Sequence, residues 1–126
     1  MGNKQAYKMQ ILVADDHALM REGLSNLLHG KEGLEVCAEA KNGIEAVRLA
    51  GQLHPDVILM DASMPELDGI EATALIKKNH PEISVIALSM HDSDAMKQKM
   101  LAAGASTYIN KEAPSPELMM AIRKAK

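Results

Sequence analysis

A chain of 126 residues can enclose one hydrophobic core and is short for two, so a single domain is expected. Hydrophobic residues are 47% and charged residues 25%, and no apolar run approaches the ~20 residues that cross a bilayer, which predicts a soluble protein with no membrane partner. A net charge of −3 offers no basic footprint for nucleic acid, and the lone Cys37 excludes an intrachain disulfide, as suits a reducing, cytoplasmic setting.

Residues 1–8 read as a flexible tail: Ala6 stands where a myristoylation signal prefers Ser or Thr, and no apolar signal-peptide core follows. Met9 to Ala14 is an apolar run interrupted by Gln10 that ends at Asp15-Asp16, a first strand. Met20, Leu24, Leu27 and Leu28 then recur at helical spacing and predict a helix over 18–29 that closes near Gly30. Leu34 to Ala40 reads as a second strand with Cys37 packed in it, Asn42-Gly43 as a turn, and Ile44, Val47, Ala50 and Leu53 as the stripe of a second helix. His54-Pro55 ends that helix.

Val57 to Met60 are consecutive apolar residues without alternation, the pattern of a strand covered on both faces, and the run stops at Asp61. Pro65 and Asp68-Gly69 mark a loop, after which Ile70, Ala74 and Leu75 give a third helix to about Asn79. Pro81 breaks the chain, and Val85 to Leu88 forms a fourth strand ending at Ser89. Met96, Met100 and Ala103 outline a thinly apolar fourth helix stopped by Gly104. Thr107 to Ile109 is a fifth strand ending at Asn110-Lys111, and Ser115-Pro116-Glu117 supplies an N-cap, a first-turn proline and an early acid for a fifth helix.

Strands alternating with helices imply an α/β fold, a doubly wound five-stranded parallel sheet with helices on both faces, because parallel strands need crossovers. In such sheets the ligand crevice lies beyond the carboxyl ends of the strands. Asp15-Asp16, Asp61, Ser89 and Lys111 all stand at those ends. Crowded carboxylates repel unless cations intervene. Lys111 supplies one positive charge, and Mg²⁺ held by carboxylate oxygens can supply more while favouring phosphate. An Asp in that setting can attack a phosphoryl group, with Lys111 and the Ser89 hydroxyl stabilising its oxygens, and Asp61 is the candidate nucleophile. The histidines at 17, 29, 54, 80 and 91 show no linear spacing suited to zinc, and His17 and His91 read as site-rim or surface residues.

An acidic pair after strand one, Asp-x-x-Met-Pro-x-x-Asp-Gly from Asp61 to Gly69, a Ser after strand four and a Lys after strand five together resemble the receiver domain of bacterial two-component response regulators. The resemblance covers about residues 9–125, and the receiver domain is expected to span 9–126. Ile11 to His17, Arg21 to Leu24 and Ala103 to Lys111 are most similar to the NarL/FixJ class, whose members carry a LuxR-type DNA-binding domain behind the receiver. The resemblance implies a flavodoxin-like strand order 2-1-3-4-5. It implies that Asp61 accepts a phosphoryl group from a sensor histidine kinase, with Asp16 and Asp61 binding Mg²⁺ directly, Asp15 through water, and the Ser63 backbone carbonyl as a further ligand. Ser89 would move toward the phosphoryl group, Lys111 would pair with it, and Tyr108 would change rotamer. The surface of helix four, strand five and helix five would then control an output: a homodimer on phosphorylation, or DNA through a domain outside these residues. One departure is Glu112, where many family members have a cis proline; without proline the cis peptide costs ~3 kcal/mol.

Plainer roles compete at single positions. Asp16 could cap helix one, Ser89 and Lys111 could be solvated strand ends, and Tyr108 could be an ordinary strand aromatic. Among whole functions, a haloacid-dehalogenase-like phosphohydrolase also uses a strand-end Asp but needs an acid two residues on, where this chain has Ser63. A stand-alone receiver acting through protein–protein contacts, or one that never carries phosphate, is the remaining alternative.

Overall fold

The computed structural model describes residues 8–90, 94–111 and 115–125. The expectations for residues 1–7, His91 and Glu112, and for the Ser115 side chain as a cap, fall outside what it describes. The elements alternate along the chain: β1 (Met9–Ala14), α1 (Ala18–His29), β2 (Leu34–Ala40), α2 (Gly43–Leu53), β3 (Val57–Asp61), α3 (Gly69–Asn79), β4 (Ser84–Ser89), α4 (Asp94–Ala103), β5 (Thr107–Asn110) and α5 (Ser115–Lys124). All strand pairs are parallel, in the order β2-β1-β3-β4-β5.

The order explains the hydrophobic pattern. β3 lies at the centre and every residue from Val57 to Asp61 is buried, as an uninterrupted apolar run requires. Alternate residues then feed two cores. Leu12, Ile58, Met60, Val85 and Ala87 pack on one face with Ala46 and Ala50 of α2, Ile76 of α3 and Met100 of α4. Ile11, Val13, Val57, Leu59, Ile86 and Leu88 pack on the other with Leu28 of α1 and Leu118 and Ile122 of α5. The edge strand β2 is only partly covered, and its register with β1 slips between Ile11 and Leu12. Cys37 falls at that slip, half-buried, so it packs in strand two but at an irregular position.

Helix starts obey local chemistry. The Asn42 side chain accepts a hydrogen bond from Glu45 N at 2.8 Å, and Asp68 accepts one from Glu71 N at 2.9 Å, so both residues read as turn formers are N-caps. α1 behaves otherwise: His17 is its N-cap and makes no side-chain capping bond. Asp16 therefore does not cap this helix, which removes its plainer role. α4 is thinly anchored, with Met100 its one fully buried residue, and Gly104 after it takes φ +120°, a backbone that suits a residue without Cβ.

Candidate functional site

The carboxyl ends of β1, β3, β4 and β5 bring the strand-end residues together. β1 leaves the sheet at Asp15, whose N–H donates to the Ala40 carbonyl at 3.0 Å and whose own carbonyl accepts from Arg21 Nη1 at 2.8 Å. Those two bonds turn the chain so that the Asp15 side chain is fully buried beside β3. Its Oδ1 accepts from the His17 N–H at 2.9 Å and lies 3.2 Å from His17 Nδ1. Asp61, 3% exposed, ends β3, and its Oδ1 accepts from the Ser63 N–H at 3.3 Å. Asp16 is more open, with 30% of its side chain exposed, and its Oδ1 lies 3.2 Å from His17 Nδ1.

Lys111 reaches into this group from the end of β5. Its N–H donates to the Ser89 carbonyl at 2.7 Å, which ties the lysine backbone to the end of β4. Its side chain, 1% exposed, places Nζ 2.7 Å from Asp15 Oδ2 and 3.3 Å from Asp61 Oδ2. One ammonium thus bridges two buried carboxylates. The shorter contact goes to Asp15 Oδ2, so the ammonium compensates Asp15 more fully than Asp61. Ser89 is buried on β4, one residue beyond Leu88, the cross-strand partner of Asp61. Tyr108 lies further back on β5, half-buried beside Ala87 and packed on the core under α4.

The two carboxyls titrate apart because their surroundings differ. Burial pushes Asp61 up to about 6, and the nearby Asp15 charge adds to that while Lys111 opposes it. Burial also pushes on Asp15, but Lys111 and the His17 N–H outweigh it and hold Asp15 below the ordinary carboxylate value. Asp61 is the strained member of the pair. A cation that approached Oδ2 would relieve it.

The donor set fits a hard divalent ion. Asp15, Asp16, His17 and Asp61 each offer a ligand atom within 4.8 Å of the others, and the two buried carboxylates share the single ammonium of Lys111. One contributor was not legible as such in sequence. Gly69 opens α3 directly behind Asp61: a Cβ there would stand 2.1 Å from the Asp61 carbonyl oxygen and 2.9 Å from Ala62 Cα. Its N–H donates to the Ala62 carbonyl at 3.1 Å, so the helix start locks the chain just after Asp61. His17, read from sequence as a site-rim or surface residue, sits on the acidic pair with its side chain largely exposed.

Residues 11–123 match the family described as response regulator receiver domain. The chain belongs to that family. It is 40% identical to the response regulator GacA of Pseudomonas viridiflava over 115 residues, which cover 91% of this chain and 54% of that protein. It is likewise 40% identical to the transcriptional regulatory protein LiaR of Bacillus subtilis, over 93% of this chain and 56% of that one. The receiver spans about half the length of the curated relatives it matches. Among solved structures, the signal receiver domain of the response regulator NarL from Mycobacterium tuberculosis superposes with a TM-score of 0.89 at 31% identity, covering 94% of this chain and 95% of that one. The fold is therefore the flavodoxin-like receiver fold, and the relatives are NarL- and LuxR-type regulators of two-component systems. Among the described residues no helix is long and apolar enough to cross a membrane.

Proposed function

We propose that this receiver is phosphorylated on Asp61 by a sensor histidine kinase in a Mg²⁺-dependent reaction, and that the modification switches the surface of α4, β5 and α5. The observation that carries the reading is the Lys111 bridge between Asp15 and Asp61, which sets one ammonium against two carboxylates in a buried crevice. A structural ion pair has no use for that second, uncompensated carboxylate.

Asp61 attacks phosphorus through a carboxylate oxygen. An O–P bond forms as the donor's N–P bond breaks, and the electron pair leaves on the donor imidazole, which takes up a proton. Lys111 keeps Asp61 ionised and then faces a phosphoryl oxygen. The Ser89 hydroxyl donates to another. Mg²⁺, held by Asp16, Asp61 and the Ser63 carbonyl with Asp15 through water, would supply charge neutralisation on the phosphoryl oxygens. Tyr108, against the core under α4, follows the loop after β4 when Ser89 moves. The receiver unit spans residues 9–126, works in the cytoplasm, and delivers its output through homodimerisation or a LuxR-type DNA-binding domain of a longer protein. The phosphohydrolase alternative has no proton donor, since Ser63 stands where the acid is needed and its N–H only holds Asp61 Oδ1.

Incubation with acetyl phosphate and Mg²⁺ should add one hydroxylamine-labile phosphoryl group at Asp61, read by intact mass and peptide mapping. Asp61→Asn should lack it. A phosphoryl group that persists in that variant, or maps to a hydroxyl residue, overturns the assignment.

A further inference from the structure

The other end of the sheet carries a second cluster. α2 and α3 both end in a His-Pro-acid triplet, His54-Pro55-Asp56 and His80-Pro81-Glu82, which lead into the starts of β3 and β4. Each histidine is the C-cap of its helix: His54 N–H donates to the Ala50 carbonyl at 3.0 Å and His80 N–H to the Ile76 carbonyl at 2.7 Å. Two helix carboxyl ends thus converge, and the partial negative charge of each favours a cation between them.

We propose that His54, His80 and Glu82 form a binding site for a borderline divalent transition metal, with zinc the expected ion. The imidazole rings stand 5.1 Å apart, centroid to centroid, at 81°. Two imidazoles on one tetrahedral zinc, with Zn–N near 2.0–2.1 Å, place their centroids about 5 Å apart, so the rings already have the separation an ion requires. A Glu82 oxygen lies 3.9 Å from His80 Nδ1, and one ligand atom from each of the three side chains falls within 4.8 Å of the others. Tetrahedral donors on zinc stand about 3.3 Å apart, so closure needs side-chain shifts of about 1 Å. The side chains can make them, since His80 is 26% and Glu82 62% exposed. His54 is fixed more firmly: its backbone is left-handed, with φ 49° and ψ 59°, a conformation uncommon outside glycine that turns the chain just before Pro55.

Two nitrogens and one carboxylate with an open fourth position on the solvent side are a donor set suited to zinc rather than magnesium, which prefers oxygen. The bound ion would clip the end of α2 to the end of α3, at the opposite end of the strands from Asp61. Binding therefore stabilises the native fold by mass action without contact with the phosphorylation site.

The test is calorimetric titration of the receiver with zinc chloride in the presence of excess Mg²⁺, which occupies the Asp15/Asp16/Asp61 cluster. One zinc ion should bind per chain and raise the melting temperature. His54→Gln and His80→Gln should each weaken binding about tenfold or more, and Glu82→Gln should weaken it less. Asp16→Ala and Asp61→Asn should leave it unchanged. No binding by the wild type, undiminished binding by the double histidine variant, or loss of binding in Asp16→Ala would overturn the proposal. All the substituted groups reach solvent except Asp61, and circular dichroism of each variant shows whether it folds.

Discussion

Replacing Asp61 by Asn in the metal-free protein should make it more stable, by an amount that grows as pH rises from about 4 to about 6 and is full at neutral and higher pH. The ordinary carboxyl value is 3.8, and burial, helped by Asp15 and opposed by Lys111, lifts Asp61 to about 6 in the fold. Between those values the native state holds more protons than the unfolded chain, so Asp61 makes stability fall as pH rises and leaves it lowered above the native value. The full displacement corresponds to about 3 kcal/mol. Asn fills the same space without charge; the 3.3 Å ion pair with Lys111 that it loses is already counted in that displacement, and its amide has to find new partners while Lys111 keeps its 2.7 Å contact to Asp15. The net gain is therefore about 1 to 3 kcal/mol near pH 8, shrinking below about 1 kcal/mol near pH 4, or about 4 °C in melting temperature per kcal/mol for a domain of this size. Urea titrations of both proteins in EDTA at the two pH values measure it. A variant less stable than wild type near neutrality, or a gap of equal size at both pH values, would refute the electrostatic reasoning.

Mg²⁺ should raise the melting temperature of the wild type, and Asp16→Ala should remove most of that rise; an unchanged response would place the ion elsewhere. Gly69→Ala should destabilise the fold by about 2 to 4 kcal/mol in denaturant titration, because the new methyl would meet the Asp61 carbonyl oxygen. A variant of wild-type stability would show that α3 can shift freely. Phosphorylation should change amide exchange from Ser89 to Lys111 more than in α2, and Ser89→Ala should blunt this while Asp61 still accepts phosphate. Equal changes in both regions would break the proposed route from site to surface.

Sequence alone revealed the sheet because burial leaves a local trace. A central strand covered on both sides needs Val57 to Met60 without interruption, and a helix resting on one face needs the spacing seen from Met20 to Leu28, so the strand ends, and with them the carboxylates, could be located. What periodicity does not record is the identity of the neighbour. Asp68-Gly69 looked like a loop because both residues favour turns; in the fold Asp68 caps α3 and Gly69 is bare because a strand carbonyl lies against it. Asp16 looked able to cap α1, yet His17 takes the cap position and Asp15 supplies the local hydrogen bonds. His54 and His80 share no linear metal spacing, since the contact between them forms only when two helices end side by side.

Charge balance at the strand ends shows why such a site can act as a switch. Asp15, Asp16 and Asp61 carry three negative charges when ionised, and Lys111 returns one. A divalent cation brings the cluster to neutrality. An aspartyl phosphate then replaces a single negative charge with nearly two, so the balanced site acquires a surplus that only new donors can meet. Ser89 is the donor at hand: it is buried beside Asp61 at the end of β4, and its carbonyl already holds the Lys111 backbone. A hydrogen bond to a charged acceptor contributes about 1.5 to 3 kcal/mol, enough to shift a two-conformation equilibrium about ten- to a hundredfold. The chain after Ser89 leads to α4, where Met100 is the one fully buried anchor, so under the proposed phosphorylation the gain would act on a helix with little to hold it. On the proposed route, thin anchoring and its place directly after Ser89 would together make α4 the part that moves.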